Sequence, residues 1–121
     1  MTFSRIGSAA LVALLMAAGP ALAHAELETA MPAPGTSGTS PAELRLDFSE
    51  GLALAFTSVT LTGADGVIIE TGALALDPAD ATILVVPLPV PLPAGAVSVD
   101  WKAVADDGHK SQGSYSFTIA P

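Results

Sequence analysis

The sequence contains no cysteine, and this absence removes several classes of function at once. No disulfide can form, no thiolate can bind a metal, and no thiol can act as a nucleophile. Basic residues are scarce as well, with four lysines and arginines against twelve aspartates and glutamates. The formal net charge of −8 repels nucleic-acid phosphates and anionic lipid, so we expect neither nucleic acid nor direct membrane insertion.

Long apolar runs are also missing, and the longest one lies near the start of the chain. Residues 9–18 are apolar, which is about half of the roughly 20 residues that a membrane span requires. Arg5 precedes this run, a Gly-Pro pair follows it, and Ala21-Leu22-Ala23 supplies a small-x-small cleavage pattern. This layout predicts a secretory signal peptide over residues 1–23 and export of the rest of the chain.

The cleavage position has two candidates. Cleavage after Ala23 makes His24 the first residue of the mature chain, and the short spacing after the Gly-Pro pair favours this choice. Ala23-His24-Ala25 also has the small-x-small pattern, and cleavage before Glu26 removes His24. After the first cut, residues 24–121 form one domain with three basic and twelve acidic side chains, a formal net charge of −9.

Short runs with strand character fill this domain, and no helix-length amphipathic stretch follows the signal. In 43–48 and 113–119, apolar residues alternate with polar ones, as in half-buried strands. Asp65-Gly66 favours a tight hairpin turn, and the Pro/Gly/Ser/Thr-rich segment 32–42 is a predicted loop. Four alternate prolines in 87–93 predict an extended sheet edge. About seven strands in an all-β, antiparallel sandwich are expected, namely 43–48, 58–62, 67–70, 74–77, 82–88, 96–102 and 113–119, together with an N-terminal strand.

The only two histidines occupy special places in the chain. With His24 at the N-terminus, its free α-amine and its imidazole Nδ1 can close a six-membered chelate ring on one metal ion. His109 follows Asp107 by two residues in Asp-Gly-His, and residues i and i+2 of an extended segment point to the same side. Three nitrogens and one oxygen suit tetragonal Cu(II), whereas Zn(II) is expected to bind the same donors more weakly.

Each part of this pattern also has an ordinary interpretation. Asp and Gly are common turn residues, and any residue can follow a signal peptide. Glu50, at the end of a predicted strand, is either a surface carboxylate or a group that orients the N–H of a metal ligand. Trp101 and Tyr115 are expected to be core or partly buried aromatics rather than platforms for a cofactor. Met31 is the only methionine after the signal, so a thioether site for Cu(I) is not expected.

Several segments resemble, in order and over nearly all of residues 24–121, the CopC-type periplasmic copper-resistance proteins. They are His24-Ala25-Glu26-Leu27, Pro32-Ala33-Pro34-Gly35, Leu46-Asp47-Phe48-Ser49-Glu50, Val99-Asp100-Trp101-Lys102-Ala103-Val104, Asp107-Gly108-His109 and Gly113-Ser114-Tyr115-Ser116-Phe117. The resemblance implies a Greek-key, immunoglobulin-like β-sandwich that binds Cu(II) through His24, Asp107 and His109, with Glu50 nearby. Some members hold Cu(I) in a methionine-rich loop; this chain lacks one and resembles the Cu(II)-only branch.

The resemblance implies a non-enzymatic, monomeric copper carrier or buffer that delivers copper to an inner-membrane transporter of the CopD type. One alternative is a copper oxidase or monooxygenase with a histidine brace, and another is a sandwich used for protein contacts alone. The enzymes need an open coordination position and often a flat aromatic face. A single Trp, a single Tyr and an equatorial Asp107 therefore favour the binding protein over the enzyme.

Overall fold

Residues 24–121, the part of the chain that the computed structural model describes, form nine β-strands and one short 3-10 helix. The predicted signal peptide, residues 1–23, lies outside the described residues. The all-β prediction is confirmed, with one strand more than expected, a two-residue strand at Ser37–Gly38. The elements in order are β1 (Leu27–Met31), β2 (Ser37–Gly38), β3 (Glu43–Phe48), the 3-10 helix (Leu54–Phe56), β4 (Ser58–Thr62), β5 (Ile68–Ile69), β6 (Ala75–Asp77), β7 (Asp80–Pro87), β8 (Gly95–Val104) and β9 (Lys110–Ile119).

The strands form two sheets, and the chain repeatedly passes from one sheet to the other. The first sheet has the order β1-β3-β7-β6, and the second has the order β2-β9-β8-β4-β5. Every pairing is antiparallel except that of β2 with β9. This arrangement is the predicted β-sandwich: three hairpins (β4–β5, β6–β7 and β8–β9) lie within single sheets, and the other connections pass between the sheets. Among residues 24–121, no helix is long and apolar enough to span a membrane.

The alternating residues of the central strands build the core between the sheets. In β3, Leu44, Leu46 and Phe48 are buried, while the residues between them are partly exposed. Side chains of a strand point alternately to its two faces, so one face of each sheet supplies the apolar layer. Val97, Val99 and Trp101 of β8 do the same from the second sheet, as their spacing predicted.

The β8–β9 hairpin is the longest paired unit of the molecule. The pairing runs from Gly95 opposite Ile119 to Val104 opposite Lys110 without a register shift. Both strands extend further than their predicted ranges, 96–102 and 113–119. β8 continues through Ala103 and Val104, and β9 begins earlier, with three polar residues (110–112) that carry no apolar alternation. The hairpin therefore carries the loop 105–109 to one end of the sandwich.

The proline-rich segment differs from its prediction as a sheet edge. Only Pro87 lies in a strand, at the end of β7, and the following residues cross from the first sheet to the second. Leu88 and Leu92 belong to this crossing segment, and their side chains are buried in the core. Their N–H groups donate to the Ala42 carbonyl (2.9 Å) and the Ser40 hydroxyl (2.8 Å), so the loop 32–42 replaces a neighbouring strand. That loop also contains β2, which was not predicted.

Candidate metal centre

The loop that joins β8 to β9 is a tight turn that carries the predicted Asp-Gly-His sequence. The Ala105 N–H donates to the His109 carbonyl (2.9 Å), and the Gly108 N–H donates back to the Ala105 carbonyl (2.8 Å). Gly108 has φ = +91°, a left-handed conformation that favours glycine. The glycine therefore lets the chain reverse between Asp107 and His109.

The side chains of Asp107 and His109 lie close together, although they are in a turn and not in the extended segment from which their nearness was predicted. The His109 N–H donates to Asp107 Oδ1 (3.0 Å), and His109 Nδ1 lies 3.0 Å from Asp107 Oδ2. The hydrogen bond from the His109 N–H, and then the adjacent imidazole, lower the pKa of Asp107 from its ordinary value. Asp107 is therefore an anionic oxygen donor beside an imidazole.

His109 Nδ1 is buried, yet it makes no hydrogen bond within residues 24–121. It lies 3.0 Å from Asp107 Oδ2, close enough to form an ion pair when the ring is protonated. A buried polar atom without a partner is uncommon in folded proteins. His109 Nδ1 and the Asp107 carboxylate are thus placed close enough together to bind the same cation.

His24 reaches the same place from the far end of the sequence. The His24 and His109 rings lie edge to face, with centroids 5.9 Å apart and an angle of 74° between the planes. His24 precedes β1 in the first sheet, whereas His109 precedes β9 in the second. The structure therefore places two of the predicted site residues, His24 and Asp107, each beside the third, His109, at one end of the sandwich.

Glu50, the predicted supporting residue, has no hydrogen bond or ion pair to the three candidate ligands. It is partly buried in the connection that follows β3, and its carboxylate makes no hydrogen bond or ion pair within the described residues. The next residue, Gly51, accepts a hydrogen bond from the Asp106 N–H (3.0 Å). Glu50 is therefore carried by a segment that contacts the turn of the candidate site.

Two serines that the sequence analysis did not single out hold the N-terminal segment at the site. The Ser49 hydroxyl accepts a hydrogen bond from the Glu26 N–H (2.9 Å) and donates one to the His24 carbonyl (3.2 Å). The Ser111 hydroxyl donates to the Ala25 carbonyl (2.5 Å). Serine is a common surface residue, so the sequence offered only weak clues to their role. Ser49 directly follows the predicted strand that ends at Phe48, and Ser111 lies two residues after His109.

The two aromatic residues near the site are structural, as predicted. Trp101 is buried and packs edge-on against Phe48, with ring centroids 5.1 Å apart. Burial raises the pKa of Tyr115 to about 12. An open groove of ≈ 810 Å³ runs past the site, lined in part by His24, Trp101 and Tyr115. The described residues at the site therefore present no flat, exposed aromatic face.

The donor chemistry of the cluster fits a borderline metal ion such as copper. Side chains alone form no group of three metal-binding residues within residues 24–121. The predicted fourth donor is a main-chain group, the α-amine of His24, which is free only when the chain begins at that residue. With this amine, His24, Asp107 and the unbonded imidazole of His109 would supply nitrogen and oxygen donors without any thiolate.

The fold and site define a β-sandwich with two histidines and an aspartate at one end, and comparisons identify its family. Residues 27–120 match the family model of the CopC domain. The chain is 35% identical to copper resistance protein C of Escherichia coli over 105 residues, 82% of this chain and 83% of that protein. It is 37% identical to protein YobA of Escherichia coli strain K12 over 98 residues, 80% of this chain and 79% of that protein.

Solved structures agree with this family. The crystal structure of PcoC, a methionine-rich copper resistance protein from Escherichia coli, matches with a TM-score of 0.71 and 34% identity, covering 80% of this chain and 99% of that one. CopC from Methylosinus trichosporium OB3b matches with a TM-score of 0.74 and 26% identity, covering 81% of this chain and 95% of that one. The chain belongs to the CopC family, which confirms the resemblance found in its sequence.

Proposed function

We propose that this protein binds one Cu(II) ion in the periplasm and carries or buffers it as part of copper resistance. The observation that carries the proposal is the meeting of the only two histidines of the sequence, with ring centroids 5.9 Å apart, beside Asp107. The proposed ligands are the α-amine and imidazole of His24, the carboxylate of Asp107 and the imidazole of His109. Glu50 is proposed to orient these ligands.

The oxidation state follows from the chemistry of the donors. Nitrogen and carboxylate donors suit Cu(II), whereas Cu(I) prefers thiolate and thioether sulfur. The Escherichia coli relative of known structure is methionine-rich, but this chain has one methionine after residue 23. That residue, Met31, stands at the end of β1 opposite the His24 end. The sulfur ligands of a Cu(I) site are therefore missing near His24, so we propose a protein of the Cu(II)-only type.

The remaining properties of the proposal follow from charge and family. A formal charge of −9 over residues 24–121 attracts cations and disfavours nucleic acid and anionic membranes. We propose a monomer that is exported by the segment 1–23 and is not an enzyme. An inner-membrane copper transporter of the CopD type is the proposed recipient of its copper.

The decisive experiment compares two forms of the exported protein. The mature form, whose first residue is checked by mass, and a form with one extra glycine before His24 are each titrated with Cu(II) and followed by EPR. We expect the mature form to take one Cu(II) with a nitrogen-rich tetragonal signal, and the extended form to bind far more weakly. Equal binding by both forms would show that the α-amine is not a ligand. No binding by either form would refute the copper function.

The enzyme alternative makes a different prediction about reduced copper. A monooxygenase needs an open coordination position, whereas the proposed ligands fill the equatorial plane with Asp107 as the fourth donor. We therefore expect the copper-loaded, reduced protein to consume oxygen and form peroxide no faster than free copper does. Faster turnover with an added electron donor would favour the enzyme.

A further inference from the structure

The three residues before β1 are held by two serine hydroxyls and one main-chain hydrogen bond rather than by a regular strand ladder. β1 begins at Leu27, which pairs with Phe48, so His24, Ala25 and Glu26 precede the regular pairing of the first sheet. Chain ends of this kind are usually poorly ordered unless something ties them down. Here the hydroxyls of two serines bind the segment. One serine directly follows a strand of the first sheet, and the other lies in a strand of the second.

Ser49, which directly follows β3 of the first sheet, makes three hydrogen bonds to this segment. Its N–H donates to the Glu26 carbonyl (2.8 Å), and its hydroxyl accepts from the Glu26 N–H (2.9 Å). The same hydroxyl donates to the His24 carbonyl (3.2 Å). A single side chain therefore fixes the main chain on both sides of Ala25.

Ser111, the second residue of β9, holds the segment from the other sheet. Its hydroxyl donates to the Ala25 carbonyl (2.5 Å), so the consecutive carbonyls of His24 and Ala25 are each bound by a serine. Ala25 is fully buried within the core cluster, which leaves little room for movement. Ser111 also lies two residues after His109. The start of β9 is therefore adjacent to the second histidine and also binds the segment that contains the first.

We propose that Ser49 and Ser111 are positioning residues that hold the α-amine and imidazole of His24 at the Cu(II) site before the metal arrives. This inference rests on the proposed function. Neither serine touches the metal; each acts through the main chain of residues 24–26. A free N-terminal histidine must lose its conformational freedom when it chelates a metal, whereas a tied one has already lost most of it.

The test uses three serine-to-alanine variants of the mature protein. Ser49→Ala and Ser111→Ala each remove a proposed tie. Ser40→Ala is the matched control. The Ser40 hydroxyl, in the loop 32–42, also binds a main-chain group distant in sequence, the N–H of Leu92 (2.8 Å), but it makes no bond to residues 24–26. Each variant is titrated with Cu(II), examined by EPR, melted without metal, and analysed by amide hydrogen exchange of the metal-free protein.

We expect Ser49→Ala and Ser111→Ala to weaken Cu(II) binding by roughly up to tenfold each, since a net hydrogen bond contributes that order of free energy. Hydrogen exchange at the amides of residues 25–27 should accelerate in these two variants and not in Ser40→Ala. The EPR signals should broaden, because a loose His24 binds copper in more than one geometry. Ser49→Thr, which keeps a hydroxyl, should recover most of the affinity.

The outcomes separate this inference from the function on which it rests. If the wild-type protein fails to bind Cu(II), the proposed function is refuted and the positioning role with it. If the wild type binds while all three alanine variants bind equally well, the function stands and the positioning role is wrong. A loss of affinity that simply follows the loss of melting temperature in all three variants would also overturn the positioning role.

Discussion

At the scale of single residues, the candidate site depends on what surrounds each donor. His109 Nδ1 is buried without a hydrogen bond, and Asp107 Oδ2 lies 3.0 Å away as a carboxylate with a lowered pKa. His24 approaches His109 with its ring edge to face. Each group is weak evidence alone. The His24 ring and the Asp107 carboxylate both lie beside the His109 imidazole at one end of the sandwich, an arrangement that suits a shared metal ion.

His109→Ala should lower the Cu(II) affinity by roughly a hundredfold or more, since even residues that only support metal ligands contribute about 10–100-fold. Asp107→Ala should also weaken binding. Asp106→Ala is the matched control, because it removes the same charge from the same turn without removing a proposed ligand. Isothermal titration with a competing chelator measures all three. Equal losses for Asp106→Ala and Asp107→Ala would mean that the wrong carboxylate was assigned.

At the scale of elements, the β8–β9 hairpin supports the site by packing Trp101 over its partner strand. Trp101 pairs with Gly113, and a Cβ at Gly113 would lie 2.5 Å from Trp101 Cζ2. The indole is only 7% exposed, so it has little space to retreat. The absence of a side chain at Gly113 therefore lets the tryptophan cross the strand near the groove beside His24.

Gly113→Ala should lower the free energy of unfolding by about 1–3 kcal/mol, because overpacking forces the indole from its position. Gly38→Ala is the control, since a Cβ there would meet nothing within 4 Å. Its effect should stay within about 0.5 kcal/mol. Urea denaturation followed by tryptophan fluorescence measures both variants. A Gly113→Ala protein as stable as the control would show that Trp101 is not confined.

At the scale of the whole molecule, stability depends on acidic groups and on the bound metal. Arg45 forms an ion pair with Asp77 and another with Glu43 (3.0 Å) on the exposed face of the first sheet. The hydrogen bond from Arg45, and then the Ala79 N–H, lower the pKa of Asp77 below its ordinary 3.8. As the pH falls, Asp77 therefore takes up a proton in the unfolded chain before it does so in the folded chain. The stability that the ionised Asp77 contributes is lost over that pH range.

Asp77→Asn should therefore weaken the acid dependence of unfolding. Between about pH 5 and pH 2, the wild-type protein should lose stability as Asp77 is protonated, first in the unfolded state and then in the folded state. The variant lacks this titration, so its curve should be flatter, and Arg45→Gln should flatten the curve in the same way. Urea denaturation at a series of pH values tests this. Parallel curves for all three proteins would contradict the role of the ion pair.

Copper itself should stabilise the fold if it binds as proposed. The unfolded chain separates His24 from Asp107 and His109, so Cu(II) binds the folded state in preference. Free Cu(II) at a hundred times its dissociation constant should add about 2.7 kcal/mol at 25 °C. Thermal denaturation with and without Cu(II) measures this as a higher melting temperature, which should return to its original value with EDTA. The gain should disappear as the pH falls, because amine and imidazole ligands bind metals only when deprotonated.

The sequence by itself determined the strands and their buried faces. Alternation in 43–48 and 113–119 depends on local periodicity, and the structure keeps it in β3 and β9. The Asp65-Gly66 turn was equally local, and the Gly63 N–H closes it on the Val67 carbonyl (3.0 Å). The two histidines stood out through their rarity and position, so His24, Asp107 and His109 could be predicted as candidates before any coordinates existed.

Only the tertiary structure decided which distant groups meet. Ser49 and Ser111 looked like ordinary polar residues, because nothing local shows that their hydroxyls bind the main chain of residues 24–26. The proline-rich segment became a crossing between sheets because the loop 32–42 supplied its hydrogen-bond acceptors. The approach of His24 to His109 likewise requires β1 and β9 to lie in different sheets that face each other. Periodicity along a chain specifies the face of a strand, whereas the packing of sheets specifies its neighbours.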